Sequence, residues 1–575
     1  MKMKIVCIFC VVCSSQWAHA LDREAFTFTK YDLTVRVEPE QQRIGGRGKI
    51  TLRNDSETAQ RSLSLQISST LNWSSIQFAG KPVEFVSQIY TSDIDHTGAL
   101  SEAIVVLPQA VAPKQTIELE IGYEGVIAQD ATRLSRIGVP ADSAKHSDWD
   151  EIGRSFSAVR GVGHVAWYPV AMEAVSLSDG NSLAEKIGNW KVKEEQAEII
   201  VNLCVAGTQS PLVTAMNDSP TGALGTSMGG MAGGDEFRCI LHSFRPLELV
   251  TPTFVMGNYL ESSNSIIHLY YLPDHKSGAD DYASAVEEVA PLVSKWFRDH
   301  RQSPHSTPEV VELSDPNDAS FESGNMLLTS LSGSDTKLLF SATQQLTHAF
   351  FPSPHAWIHD GLASYAQVRL IEEKEGRKAA IDYLQGHRTA LVELEKVSSE
   401  NKTNDDSLIN SLDDFRIQTK SMYVWWMLRD MVGEPVLDAA LHNYNAADDS
   451  NPTYMQKLIE KESHCDLQWF FDDWVYHDRG LPEFRVASVY PSKLASGGYM
   501  VTVTVENRGD AGAEIPVTLH TQDSEAAGKL VVAGKSKASV RIQTPSLPQD
   551  VTLNDGCVPE SDTSNDVYKI ETVKH

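Results

Sequence analysis

The sequence predicts a multidomain α+β protein, and three observations carry that expectation. The chain has 575 residues, more than one hydrophobic core organises. Strand-like runs fill its first part, from Phe26 to about Val126 and again beyond it. Helical spacing of apolar residues sets in near Ala279, and strands return after Phe484. The expected order is a leader at 1–20, an N-terminal β-sandwich-like region at 21–264 and a helical domain at 265–484. A C-terminal β-sandwich at 485–560 and a flexible tail at 561–575 complete it.

The leader has a positive start at Lys2 and Lys4, an apolar run from Ile5 to Val12, and a small-x-small pattern at Ala18-His19-Ala20. That run is too short to span a bilayer, and no later segment is long and apolar enough, so no transmembrane segment is expected after cleavage. An exported protein, periplasmic or secreted, is the expectation. Cleavage would leave Cys204, Cys239, Cys465 and Cys557, whose spacing matches no zinc pattern. Cys204 and Cys239 either pair in an oxidising compartment or remain as buried thiols.

Composition is globular, with 41% hydrophobic and 22% charged residues. A net charge of -28 repels phosphate backbones and anionic lipid, which argues against nucleic acid and membrane surfaces as partners.

In the N-terminal region YDLTVRV, KITLRN, AIVVLP and TIELEIGY alternate or cluster β-branched residues between turn formers. HVAWYPV, AEIIVNLCVAG and TPTFVMGNYL follow, and the Gly-rich stretch near 221–234 reads as a flexible loop. Helical spacing is clearest at Ser341–Phe351, Asp360–Lys374, Arg377–Val397, Thr419–Val432 and Thr453–Glu462. The polar, acidic run from Ser398 to Asp414 is expected to be a loop. RVASVYP, GYMVTVTVEN, EIPVTLHT and KASVRIQT supply the C-terminal strands.

The chemistry is expected within SATQQLTHAFFPSPHAWIHDGLASYAQ, Ser341 to Gln367. A zinc peptidase places two histidines at i and i+4 on one helical face, with a glutamate after the first as general base. Here that pair is Gln344 and His348, and the base position holds Gln345. The next helix presents Asp360 where a third ligand would fall.

WIHDGLASY resembles the WLNEGFASY segment of the membrane alanyl aminopeptidase family, gluzincin zinc peptidases, and QQLTHAFF resembles its HExxH helix. YDLTVRVEPEQQRIGGRGKITLRN and TPTFVMGNY are similar to the start and end of that family's N-terminal β-domain. KSMYVWWMLRDMVGE and WFFDDWVYHDRGLPEF are similar to later parts of its helical domain, and FESGNMLLTSL weakly resembles the GAMEN substrate loop. The resemblance covers about Tyr31 to Phe484 and implies a thermolysin-like helical domain. It implies that Glu322, Gly324 and Asn325 are remnants of the loop that holds the substrate's free amine. It implies that Gln418 stands where the family has a tyrosine, and that His348 and Asp360 are remnants of the metal site.

These departures set the functional expectation. An amide is a weak neutral ligand, and Gln345 has no group that takes a proton from water near neutral pH. The chain is therefore expected to be a catalytically impaired pseudo-peptidase that binds a peptide or protein in the old cleft, with no cofactor. Zinc enters if other residues rescue the site. One alternative is an active metallopeptidase using His348, Asp360 and either His355 or His359; another is a structural envelope protein. His355 and His359 by themselves read as solvated loop residues, because Pro352 and Pro354 interrupt the helix.

Overall fold

The computed structural model describes residues 21–179, 182–206, 213–217, 230–232, 235–300, 307–400, 407–411, 413–449 and 451–570. The expected leader and most of the Gly-rich stretch lie outside the described residues. Within that stretch Gly230–Ala232 is a strand, paired with Asp235–Phe244, where a loop was expected.

The first strand shows how sequence sets the N-terminal layer. In Phe26–Glu38, Tyr31, Leu33, Val35 and Val37 are buried while Asp32 and Arg36 face solvent, the period of two of a half-buried strand. It pairs antiparallel with Arg43–Asn54 and parallel with Glu198–Ala206, at the centre of an eight-stranded sheet. A three-stranded sheet of Gln60–Ser68, Ala99–Val111 and Glu84–Thr91 contributes to the same core through Leu63, Leu65, Ala103 and Val105. A disulfide joins Cys204 and Cys239, which face each other across two neighbouring strands of the large sheet.

A five-stranded mixed sheet carries the chain toward the helices. His268–Tyr271, Glu309–Glu312 and Met326–Thr329 run parallel, and Phe321–Ser323 closes one edge antiparallel. The helix Lys276–Phe297 links the first two parallel strands, as a parallel connection requires. It buries Tyr282, Val286, Val289, Val293 and Trp296. The site helices follow: Asp335–Phe350, Ala356–Glu375, Arg377–Glu400 and Asp414–Val432. The third runs further than the periodicity predicts, and part of the expected loop holds a short turn at Leu408–Asn410.

Beyond Phe484, one sheet holds Phe484–Lys493, Tyr499–Asn507 and Lys537–Thr544. A second holds Glu525–Val532, Ala513–His520, Asp550–Leu553 and Val567–Lys569. The last strand corrects the expectation of a free tail from 561: Val567–Lys569 pairs with Asp550–Leu553, and Asp566 beside it is buried. Backbone pairing holds this polar segment where side-chain apolarity would not. Helices and C-terminal strands share one continuous core, in which Trp474 Nε1 donates to Gly512 O at 2.7 Å. The molecule is thus mixed α/β with several sheets and a helical centre. Among the described residues no helix is long and apolar enough to cross a membrane.

Candidate functional site

Two helices and a hairpin build the cleft. The Asp335–Phe350 helix begins at Ser334, whose side chain accepts from Lys337 N and so satisfies one of the open amides of the first turn. Gln344 and His348, one helical turn apart, share a face. Pro352 and Pro354 end that helix, and the next starts at Ala356 with His355 as its N-cap residue. His359 and Asp360 therefore lie in the first turn and a half of a helix and not in a loop. Gly361 lets this helix approach the Asp414–Val432 helix: a Cβ there would meet Ser421 Cβ at 2.4 Å. The hairpin turns at Gly324, whose φ of 63° suits a residue without a Cβ, between Glu322 and Asn325.

These elements bring Glu322, Gln344, Gln345, His348, His359 and Asp360 together. Glu322 Oε1 accepts from His348 Nδ1 at 2.8 Å, and Glu322 Oε2 accepts from Gln344 Nε2 at 3.3 Å. Gln345, in the position of the base, donates through Nε2 to Asn325 O at 3.3 Å. On the other side of His348, Nε2 lies 3.3 Å from Asp360 Oδ1, in ion-pair range but without hydrogen-bond geometry. The His359 ring stacks on His348 at 4.1 Å between centroids, 15° from parallel.

Electrostatics separate the two imidazoles. Burial opposes a charge on His348, but Glu322 and Asp360 outweigh it and hold its pKa up at about 10. Burial and then the neighbouring charge on His348 push His359 down to about 4. Burial would raise Asp360, yet His348 and His359 bring it below its ordinary value. The Asp414 side chain, exposed at the start of its helix, is raised by desolvation from its surroundings and by Asp360. The Lys191 ammonium of the Ser182–Glu194 helix partly offsets both acids. The centre is thus an imidazolium between two carboxylates, with a neutral imidazole beside it.

The outcome for each expected residue is mixed. Glu322 and Asn325 adjoin the cleft, but Glu322 is engaged with His348 and Gln344. Gln418 is exposed on the Asp414–Val432 helix, outside this cluster. His355 does lie in the connection between the helices, but neither it nor His359 is a solvated loop residue. His355 Nε2 approaches Asp449 O at 2.9 Å, and His359 is packed on His348. The signal for His359 was present in the sequence: proline is tolerated at helix starts, so a helix could begin directly after Pro354. Outside the cleft, the acidic stretch from Asp472 to Glu483 contributes to a buried ion pair. Asp478 is fully buried and pairs with Lys420 and with Arg416 Nη2, the latter at 2.6 Å.

The donor set fits a zinc-like ion. Ligand atoms of His348, His359 and Asp360 all lie within 4.8 Å of one another. His348 Nε2 and His359 Nδ1 are buried without a hydrogen-bond partner. Tetrahedral zinc with bonds near 2.0–2.1 Å sets its ligands about 3.3 Å apart, which is the spacing of His348 Nε2 and Asp360 Oδ1. Such an ion would supply Lewis acidity to a bound carbonyl. The base position itself holds an amide: Gln345 Nε2 donates to a main-chain oxygen.

No protein-family model matches the sequence, and no curated protein matches it significantly. Among solved structures the chain is similar to the aminopeptidase A of Legionella pneumophila, crystallised in complex with aspartic acid. The TM-score is 0.58 and the identity 12%, over 94% of this chain and 59% of that one. It is also similar to the M1 zinc metallopeptidase of Deinococcus radiodurans, with a TM-score of 0.46 and 14% identity over 80% of this chain and 96% of that one. That second likeness carries no inference about this chain. The first shows a shared fold, and this chain spans 59% of the Legionella protein's length.

Proposed function

We propose that this chain is an exported, peptidase-like protein that binds a peptide or protein in its cleft and does not hydrolyse it. The observation that carries the reading is the state of the base position. Gln345 there is buried, has no titrating group near neutral pH, and donates to Asn325 O. Loss of a general base typically costs on the order of 10²–10⁴ in rate. The neighbouring Gln344 amide donates to the Glu322 carboxylate and carries no charge of its own. The charged start, apolar run and Ala18-His19-Ala20 of the first residues support export, as does the Cys204–Cys239 bond, which suits an oxidising compartment.

Binding is tested by fluorescence anisotropy with short labelled peptides, and turnover by an aminoacyl chromogenic series on the same preparation. Saturable peptide binding with no turnover is expected. Turnover by the wild-type chain that a chelator abolishes would sink the reading. So would the absence of binding across peptides of varied charge and length.

A further inference from the structure

Three groups of histidine and carboxylate in the described residues are close enough to hold a metal ion, and they differ in what already occupies them. In the first, Asp148 is paired with Arg133, and Asp150 with Arg160, in buried bidentate contacts, so the cation places around His164 are filled by guanidinium groups. In the second, His146 Nδ1 approaches Asp318 Oδ1 at 3.0 Å on a half-exposed surface, and neither ring nitrogen is left buried without a partner. The third group, His348, His359 and Asp360, combines proximity with two buried imidazole nitrogens that have no hydrogen-bond partner. His348 is only 9% exposed, and its Nε2 points at Asp360.

The opposite edge of the His348 ring is organised as a metal-binding histidine requires. Nδ1 donates to Glu322 Oε1 at 2.8 Å, which fixes the ring and leaves Nε2 directed into the cleft. Metal-bound histidines almost always make such a second contact to a carboxylate or carbonyl. Gln344 cannot contribute equally: an amide carries no charge, and this one donates to Glu322. We propose that His348, His359 and Asp360 form a site for a divalent transition metal ion of the zinc class, His359 serving in place of Gln344. Glu322 is a positioning residue that holds His348. As placed, the His359 ring is nearly parallel to His348, so it turns about its Cβ–Cγ bond to bring Nδ1 onto the ion. The ion would lie within reach of His348 Nε2 and Asp360 Oδ1, which are 3.3 Å apart. Two nitrogens and one oxygen leave a further coordination position open to a ligand in the cleft. The proposal rests on the function above only in taking the ion to be non-hydrolytic.

The test uses the full mature chain, stripped with a chelator and titrated with zinc chloride, then separately with cobalt(II). Metal content after dialysis gives stoichiometry, and the cobalt visible spectrum reports coordination without any variant. One ion per chain and a cobalt spectrum of low-symmetry nitrogen–oxygen type are expected. His359→Ala and Asp360→Asn are expected to weaken zinc at least tenfold, and Glu322→Gln by about 10–100-fold. Gln344→Ala is expected to leave zinc affinity unchanged. Circular dichroism identifies any variant that fails to fold, and His359→Asn then replaces His359→Ala. Absence of stoichiometric zinc and of the cobalt bands in the wild-type chain overturns the proposal, as does full zinc affinity in the His359 variants. Turnover by the zinc-loaded chain overturns the non-hydrolytic function while leaving the metal site standing. Failure to bind zinc leaves peptide binding standing, so the two failures are distinguishable.

Discussion

At the scale of single residues, burial decides what a side chain is. Glu194 is 2% exposed at the end of its helix and accepts from Tyr31 Oη at 3.1 Å and from Phe28 N at 3.4 Å. Burial pushes its pKa up to about 8, so the folded chain holds a proton that the unfolded chain releases near its ordinary value. The stabilisation is fully present below about pH 4 and is lost as pH rises through about 8. Glu194→Gln lacks that dependence. Thermal unfolding from pH 5 to 9 is expected to show little difference at pH 5 and a higher Tm for the variant at pH 9. Parallel pH profiles for the two proteins would refute the assignment. His359 teaches the same point in the cleft: as a letter in the sequence it looks solvated, and only contact with His348 gives it a role.

At the scale of elements, a buried charge network joins two helices to the segment that follows them. Lys420 on the Asp414–Val432 helix is 0% exposed; its Nζ donates to Glu395 Oε1 at 2.8 Å on the Arg377–Glu400 helix and pairs with Asp478. Arg416, one turn earlier, reaches Asp478 from the same helix. Lys420→Met would leave two buried carboxylates short of their cation, and breaking such a pair typically costs about 3–5 kcal/mol. Urea unfolding is expected to show a loss of that size. A loss below about 1 kcal/mol would mean that Arg416 suffices by itself. Helix type here was legible in KSMYVWWMLRDM, whose aromatic run is core: Tyr423, Trp425 and Trp426 are fully buried. The pairing of Lys420 with Asp478 was not, because periodicity reports which face is apolar and not which charge meets it across the fold.

At the scale of the whole molecule, the helical centre is tied to the C-terminal sheets by covered polar contacts as well as by apolar packing. Glu560 is buried, accepting from Phe484 N at 3.0 Å and from Asn554 Nδ2 at 2.6 Å. Arg388 of the helical centre donates to Glu560 O at 2.8 Å and to Ser561 O at 3.1 Å. Burial raises the Glu560 carboxyl, and burial together with the neighbouring Glu560 raises that of Asp566. The pair's contribution is complete below about pH 4 and falls as pH rises through the raised values. Hydrogen exchange of the strands 550–553 and 567–569 is expected to quicken between pH 6 and 9, and Asp566→Asn is expected to flatten that rise after correction for intrinsic exchange. An unchanged rise in the variant would show that the pair does not govern the junction.

The sequence by itself determined the element types, from periods of two and of 3.6, and it determined that amides occupy Gln344 and Gln345. Both are local properties, written in consecutive residues. Tertiary structure alone decided that Glu322 holds His348, that His359 packs beside it, that Cys204 meets Cys239, and that the chain past 561 returns as a strand. Those depend on pairings between residues far apart along the chain. Their energies come from burial and charge neutralisation that no local pattern encodes. The candidate residues His348, His359 and Asp360 could be picked out in advance, while the contacts that bring them together became visible only when the chain was folded.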